Sequence, residues 1–210
     1  MKKITRQHLA LFLEKHATNE RVLDLGSGGS SYGRFFPNRI CVDIDPARKP
    51  DIVADAQNLP FADGDFSFVL CTEMLEHVKN PFAVEREIHR VTSSGGTLIL
   101  STRFVYPLHD TPHDYWRFTK YGLSELFKEW TIIEIVPETR NFSTIAALLQ
   151  RMSFQSIFRF NKIVKGILLG FVWLFHKANT LTIEEYGNIG RTKLESEIMP
   201  TGYYLVAQKK

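Results

Sequence analysis

The sequence predicts an α/β fold built on a doubly wound, largely parallel sheet. Three observations carry this expectation. Short apolar runs recur and end in acids or glycines, as in Val22-Leu23-Asp24-Leu25-Gly26 and Ile40-Cys41-Val42-Asp43. Stretches of helical period lie between later runs, most plainly at 81–91. The first run breaks into Gly26-Ser27-Gly28-Gly29, a bend that lets backbone approach a ligand closely. Strands alternating with helices imply a sheet covered on both faces.

The elements follow in order. Residues 5–15 place Leu9, Phe12 and Leu13 on one helical face, with Thr5 expected as the cap. The first strand spans 21–25, and residues 32–36 after the glycine loop are expected to start a short helix. A second strand ends at Asp43. The connection at 45–52 holds Pro46 and Pro50 and falls short of the dozen or so residues a parallel crossover needs. The helix there is therefore expected to be reduced or missing, with a short third strand at an edge. Residues 59–64 form a turn, and 66–71 a buried fourth strand. The helix at 81–91 leads to a turn at Ser94-Gly95-Gly96 and a fifth strand at 97–101. Residues 104–117 are a loop rich in His, Pro, Asp and aromatics. Thr119 caps a helix running to 128, and strands follow at 131–136 and 202–208.

The chain has 210 residues, read as a single domain over 1–210. An apolar share of 44% is ordinary for a globular protein. A net charge of +3, with both signs interleaved, does not point to nucleic acid. Cys41 and Cys71 both fall in strands, so neither a disulfide framework nor a metal site is expected, and a reducing cytoplasm fits. Met1-Lys2-Lys3 precedes an amphipathic stretch with no apolar core, so a signal peptide is not expected.

Residues 141–182 read as a helical insertion before the last strand. Ile145, Leu148, Leu149 and Met152 form one apolar face, a stripe of the kind that most often packs on a core, and Phe154, Ile157, Phe158 and Phe160 cluster among Arg151, Arg159 and Lys162. Residues 166–175 are uncharged, but a spanning helix needs about 20 such residues. Two readings of 142–180 stand side by side. One is helices packing as a lid or homodimer contact; the other is a peripheral contact with a bilayer or lipid-linked substrate.

The glycine loop departs from the dinucleotide pattern G-x-G-x-x-G. Its third glycine would fall at Ser31, and Gly33 comes two positions late. Asp24 beside the loop would repel a pyrophosphate and attract an ammonium. Such a loop, with Gly26, Ser27 and Gly28 as its backbone contacts, suits the zwitterionic, partly cationic S-adenosylmethionine. Asp43, about 20 residues beyond Asp24, is placed to take ribose hydroxyls, with Ile44 beside it. Asp55, followed by Ala56, can accept from an adenine amino group. Three acids would then line one edge of one sheet.

With these residues in view, the chain resembles the class I S-adenosylmethionine-dependent methyltransferases of the type 11 group. The resemblance runs over about residues 5–136. It is carried by Leu23-Asp24-Leu25-Gly26-Ser27-Gly28, Val42-Asp43-Ile44-Asp45, and Asp55-Ala56-Gln57-Asn58-Leu59-Pro60-Phe61. Asp65-Phe66-Ser67-Phe68-Val69-Leu70, Glu73-Met74-Leu75-Glu76-His77-Val78 and Glu87-Ile88-His89-Arg90-Val91 continue it, with Gly95-Gly96 and His113-Asp114-Tyr115-Trp116-Arg117-Phe118-Thr119 last. Ser30 stands where many members have a third glycine. The resemblance implies a Rossmann-like sheet of seven strands with the last antiparallel, and S-adenosylmethionine as cofactor.

Methyl transfer is an in-line displacement, governed mainly by positioning. After the fifth strand, His113 is the candidate base and Arg117 the candidate clamp for an anionic substrate group. The alternative pairs Arg117 with Asp114 structurally, with Tyr115 and Trp116 closing the loop. His109 is a weaker candidate. Glu73 and His77 follow the fourth strand toward the same edge, Glu73 as a cofactor contact or a helix cap. The expected acceptor is a small molecule, sugar or lipid-linked intermediate, and the rival reading is a non-catalytic scaffold of the same fold. Nucleic-acid base methylation would want an Asn/Asp-Pro-Pro-Tyr element where Cys71-Thr72-Glu73-Met74 stands. A nicotinamide dehydrogenase is excluded by the loop spacing.

Overall fold

The computed structural model describes residues 3–28 and 31–210. Met1 and Lys2, and Gly29 and Ser30 of the glycine loop, lie outside the described residues. Seven strands form one sheet: β1 Val22–Leu25, β2 Arg39–Asp43, β3 Ile52–Val53, β4 Phe66–Thr72, β5 Thr92–Arg103, β6 Trp130–Pro137 and β7 Gly202–Lys209. The helices are α1 Ile4–Lys15, α2 Pro81–Val91, α3 Lys120–Leu126, α4 Asn141–Gln155 and α5 Asn161–Lys177. The strand order is β3-β2-β1-β4-β5-β7-β6. The strands from β3 to β5 pair in parallel, and β7 runs antiparallel between β5 and β6. The chain winds outward from β1 through β2 to β3, then returns to β4 on the other side of β1. That reversal opens a crevice at the carboxyl ends of β1 and β4, where open α/β sheets bind ligands.

Alternation along the strands feeds two cores. Leu23, Leu25, Phe66, Val69, Cys71, Leu98, Leu100 and Leu205 face α2 and α3. Val22, Leu70, Ile99, Tyr204 and Val206 face α1, through Leu9, Phe12 and Leu13. This period of two is what a sheet covered on both sides requires. The α2 helix forms where its signals place it: Asn80 accepts from the Ala83 amide at 3.1 Å and Pro81 takes the first turn. Thr119 caps α3 in the same way, accepting from Gly122 at 3.0 Å.

Four local expectations are corrected. Thr5 does not cap α1; it is buried inside the helix, and the Ile4 amide donates instead to Gln150 Oε1 of α4 at 2.9 Å. Residues 32–36 make only one 3₁₀ turn, Ser31–Arg34. Gly33 lies within it and Pro37 follows, while Phe35 and Phe36 turn into the α1 side of the core. The fifth strand begins at Thr92, directly after α2, not at Thr97. Thr92 pairs with Phe66 and Thr97 with Phe68, so Ser94-Gly95-Gly96 is an irregularity inside the strand. Gly96 has no room for a Cβ there, which would meet Ser93 O at 2.8 Å.

The fourth correction concerns the insertion. The buried face of α4 is Ser143, Thr144, Ala146, Ala147, Gln150 and Ser153, while Met152 is 40% exposed and Ile145, Leu148 and Leu149 are only half-buried. Small side chains let α4 approach α5 and Ile4 closely, so Ala146, Ala147 and Val172 make a third, minor core. On α5 only Val172 is buried; Ile163, Ile167, Phe171, Trp173 and Leu174 are exposed. Among the described residues, no helix is long and apolar enough to cross a membrane.

Candidate active site

One cavity of about 1060 Å³ runs along the carboxyl edge of the sheet, from the glycine loop to the loop after β5. That is the upper end of the ~300–1,000 Å³ range of small-molecule sites. Its first half is built by β1, β2 and the segment after β3. Gly26 and Gly28 take φ of +65° and +51°, which glycine adopts freely. A Cβ on Gly26 would lie 2.3 Å from Met74 Cγ, so the loop packs against the turn after β4. The Gly26 amide donates to Val42 O at 2.8 Å, and Gly28 donates to Asp43 Oδ2 at 2.9 Å. Asp43 Oδ1 accepts from the Asp45 amide at 3.0 Å. The carboxylate thus fixes the loop and the turn after β2 together, at 8% exposure on the cavity wall. Ile44 presents an exposed apolar side chain on the same wall.

Asp55, Ala56 and Gln57 line the cavity beyond it. Asp55 also caps its own turn, accepting from the Gln57 amide at 2.9 Å. Ser27 lines the loop. Asp24 is placed differently: it lies one residue before the end of β1, on the α1 side of the sheet. It is 1% exposed, 3.6 Å from Arg39 Nε, and below the cavity wall. The structure therefore brings Asp43 and Asp55 to one rim and sets Asp24 beneath it.

The second half belongs to β4, β5, α1 and α4. Glu73 takes φ of +51° after β4, and its amide donates to Ser101 O at 2.9 Å. It caps no helix. Its carboxylate bridges Arg103 and, at 2.6 Å, Arg6 of α1. Arg103 pairs on its other side with Glu138 at 2.5 Å, and Glu138 also accepts from Thr201 and Tyr204. Tyr106 lies between the guanidinium groups of Arg103 and Arg151, at 4.4 and 5.1 Å from its ring centre. Lys3, Arg6, Arg103 and Arg151 make this half cationic. Burial and the neighbouring Arg151 and Arg6 lower the Lys3 pKa, as crowding of like charge requires.

The loop after β5 meets the turn after β4. His113 lines the cavity, its Nδ1 at 3.1 Å from the Tyr115 hydroxyl. His77 Nδ1 donates to His113 O at 2.5 Å. Glu76 is fully buried, and burial pushes its carboxyl up to about 7. Its backbone carbonyl accepts from the amides of Tyr115 and Trp116, at 2.9 and 3.2 Å. Burial pushes His109 down to about 4, against the pull of Asp114, so its imidazole is neutral at pH 7.

Arg117 does not line the cavity. It forms a bidentate pair with Asp114, at 2.6 and 2.7 Å, and donates to the carbonyls of Tyr106, Pro107 and Trp116. Its place is to close the loop on itself, the alternative that stood beside the clamp reading. Arg117 is the main cause that lowers Asp114 to about 2, and Asp114 is 1% exposed. A depressed carboxylate contributes stability above its unfolded pKa, near 3.8, and loses it as pH falls through the folded value. Asp114→Asn should cost about 2 kcal/mol at pH 7. The gap to wild type in urea denaturation should shrink as pH falls from about 4 toward 2; a constant gap would speak against this role.

Lys3, Arg6, Met74, Arg103, Tyr106 and Arg151 were not legible as site residues. They come from α1, α4 and the strand ends, and no motif or spacing joins them.

Comparison with known proteins bears on the fold. Residues 23–100 match the family model described as a methyltransferase domain. A ubiquinone biosynthesis O-methyltransferase of Pseudomonas aeruginosa is 32% identical over 105 residues, covering 40% of this chain and 44% of that protein. The chain spans about half the length of the curated relatives it matches. The crystal structure of geranyl diphosphate C-methyltransferase from Streptomyces coelicolor, which holds Mg2+, geranyl diphosphate and S-adenosylhomocysteine, superposes with a TM-score of 0.60 at 14% identity. It covers 98% of this chain and 79% of that one. The cyclase SpnF superposes with a TM-score of 0.61 at 15% identity, over 98% of this chain and 80% of its own. At such identities the likeness shows the fold alone.

Proposed function

We propose that the chain, whose residues 23–100 match the methyltransferase-domain model, is a class I S-adenosylmethionine-dependent methyltransferase that transfers a methyl group from S-adenosylmethionine to a small-molecule, sugar or lipid-linked acceptor. The observation that carries this reading is the two-part cavity. Its first half offers glycine backbone, the Asp43 carboxylate, the Ile44 face and the Asp55-Ala56 turn, which suit an adenosyl group. Glu73 lines the cavity beside Met74 and Arg103 and is the acid we assign to the donor ammonium. Asp24 lies outside the cavity lining, beside Arg39.

The second half is where an acceptor meets the methyl group. Lys3, Arg6 and Arg151 favour an acceptor with an acidic or phosphorylated group. His113, hydrogen-bonded to Tyr115, is the side chain placed to take a proton. Binding both partners in near-attack geometry supplies most of the rate. The exposed apolar face of α5, with Lys162 and Lys165 in its first two turns, supports a lipid-linked acceptor met at a membrane surface.

Incubating the protein with S-adenosylmethionine labelled in its methyl group, and with aqueous and lipid fractions of a cell extract, tests this. Label is expected in one fraction. Binding of S-adenosylhomocysteine without transfer to any fraction would favour the scaffold reading.

A further inference from the structure

Three atoms at the acceptor end face one another: Glu76 Oε1, His77 Nε2 and His109 Nε2. Oε1 lies 4.0 Å from His77 Nε2 and 3.9 Å from His109 Nε2, and all three atoms fall within 4.8 Å of each other. These separations are too long for hydrogen bonds. Each atom presents a lone pair to the others. His77 Nδ1 is turned to the carbonyl of His113 at 2.5 Å and His109 Nδ1 to that of Pro107 at 3.2 Å, so either ring, when neutral, keeps its proton on Nδ1 and offers Nε2 as a ligand atom. The second Glu76 oxygen is taken by the Thr102 hydroxyl at 2.8 Å, while Oε1, in a side chain wholly removed from solvent, has no hydrogen-bond partner among the described residues. Three ligand-type atoms thus lie within 4.8 Å of one another with no hydrogen bond between them.

We propose that Glu76, His77 and His109 bind a divalent transition-metal ion at the acceptor end of the cavity. Two imidazoles and one carboxylate are a donor set that Zn2+ and its neighbours accept, with the remaining positions open. Imidazole Nδ1–H groups held by backbone carbonyls are the usual support of metal-bound histidines. Bonds of ~2.1 Å place tetrahedral ligand atoms ~3.4 Å apart, so each glutamate–histidine separation closes by about half an ångström on binding. Asp110 Oδ2, exposed and 3.9 Å from His77 Nε2, is positioned to join as a fourth ligand. This reverses the expectation of no metal site. The ligands come from adjacent residues after β4 and from a loop 32 positions on, a spacing that matches no ligand motif. If the methyl-transfer reading holds, the ion narrows the acceptor to one with an oxygen that can be polarised and deprotonated beside the donor. The metal site itself does not depend on that reading.

The test uses the full chain stripped with chelator, then titrated with Zn2+ in a calorimeter and with Co2+ followed by its visible absorption. One equivalent is expected at micromolar or tighter affinity, weakened at least tenfold in His109→Ala and in Glu76→Gln, with circular dichroism confirming that both variants fold. The conservative Glu76→Gln keeps the Thr102 contact if the buried site tolerates no larger change. No binding by wild type at ~100 μM free ion, or unchanged affinity in both variants, overturns the proposal. S-adenosylhomocysteine titrated into the same stripped sample keeps the outcomes separate: retained cofactor binding with no metal binding sinks only the metal site.

Discussion

Replacing Arg103 with methionine is expected to lower the stability of the fold by about 3–5 kcal/mol, the usual consequence of removing one partner from a buried ionic network. Arg103 ends β5 at 4% exposure between Glu138, behind it, and Glu73, at the cavity. The substitution keeps most of the side chain's volume and removes its charge, leaving Glu138 buried with only Thr201 and Tyr204 to satisfy it. Urea denaturation measures the loss; a change under 1 kcal/mol would mean that water or relaxation replaces the guanidinium. Arg103→Met combined with Glu138→Gln should recover part of the loss, because the charge left behind is then removed as well. The same network holds Glu73 at the cavity wall, so the shape of the cavity and the stability of the fold are joined here.

Asp43→Ala should weaken binding of S-adenosylmethionine or S-adenosylhomocysteine at least tenfold, about 1.4 kcal/mol or more, as expected when charge-assisted hydrogen bonds are lost. Two effects add. The carboxylate holds the Gly28 amide and the Asp45 amide, so its removal loosens the loop. Its outer lone pairs are those available to ribose hydroxyls. Asp43→Asn keeps an acceptor and should fall between wild type and alanine. Calorimetry giving equal affinity for wild type and Asp43→Ala would remove the cofactor assignment from this half of the cavity.

Much of the architecture was written locally. The strand ends at Leu25 and Asp43, the reduced crossover before β3, and the caps at Asn80 and Thr119 all depend on residues a few positions apart. Contacts at that range follow from backbone preference and periodicity, which a sequence displays directly. Two of the errors have a common source. Thr5 lost the cap because Gln150, 146 residues away, reached the Ile4 amide first. The large apolar stripe of α4 lost its place in the core because close approach to α5 favoured alanine and serine. In each case a long-range contact overrode a local signal.

The candidate site divides the same way. The residues at the proposed cofactor end lie in three short motifs at strand ends, and any doubly wound sheet brings such ends to one rim. Their identity and order were therefore settled by the chain alone. At the acceptor end, Arg6 and Lys3 come from the first helix, Arg103 from a strand end, Arg151 from the insertion, and His77 and His109 from separate turns. No spacing relates them, because their proximity depends on how α1 and α4 close over the sheet. Tertiary packing alone decided that Arg117 serves its own loop, that Asp24 lies under the wall, and that two imidazoles meet a buried carboxylate. A side chain's chemistry is inherited from its sequence, but what it faces is set by the folded chain around it.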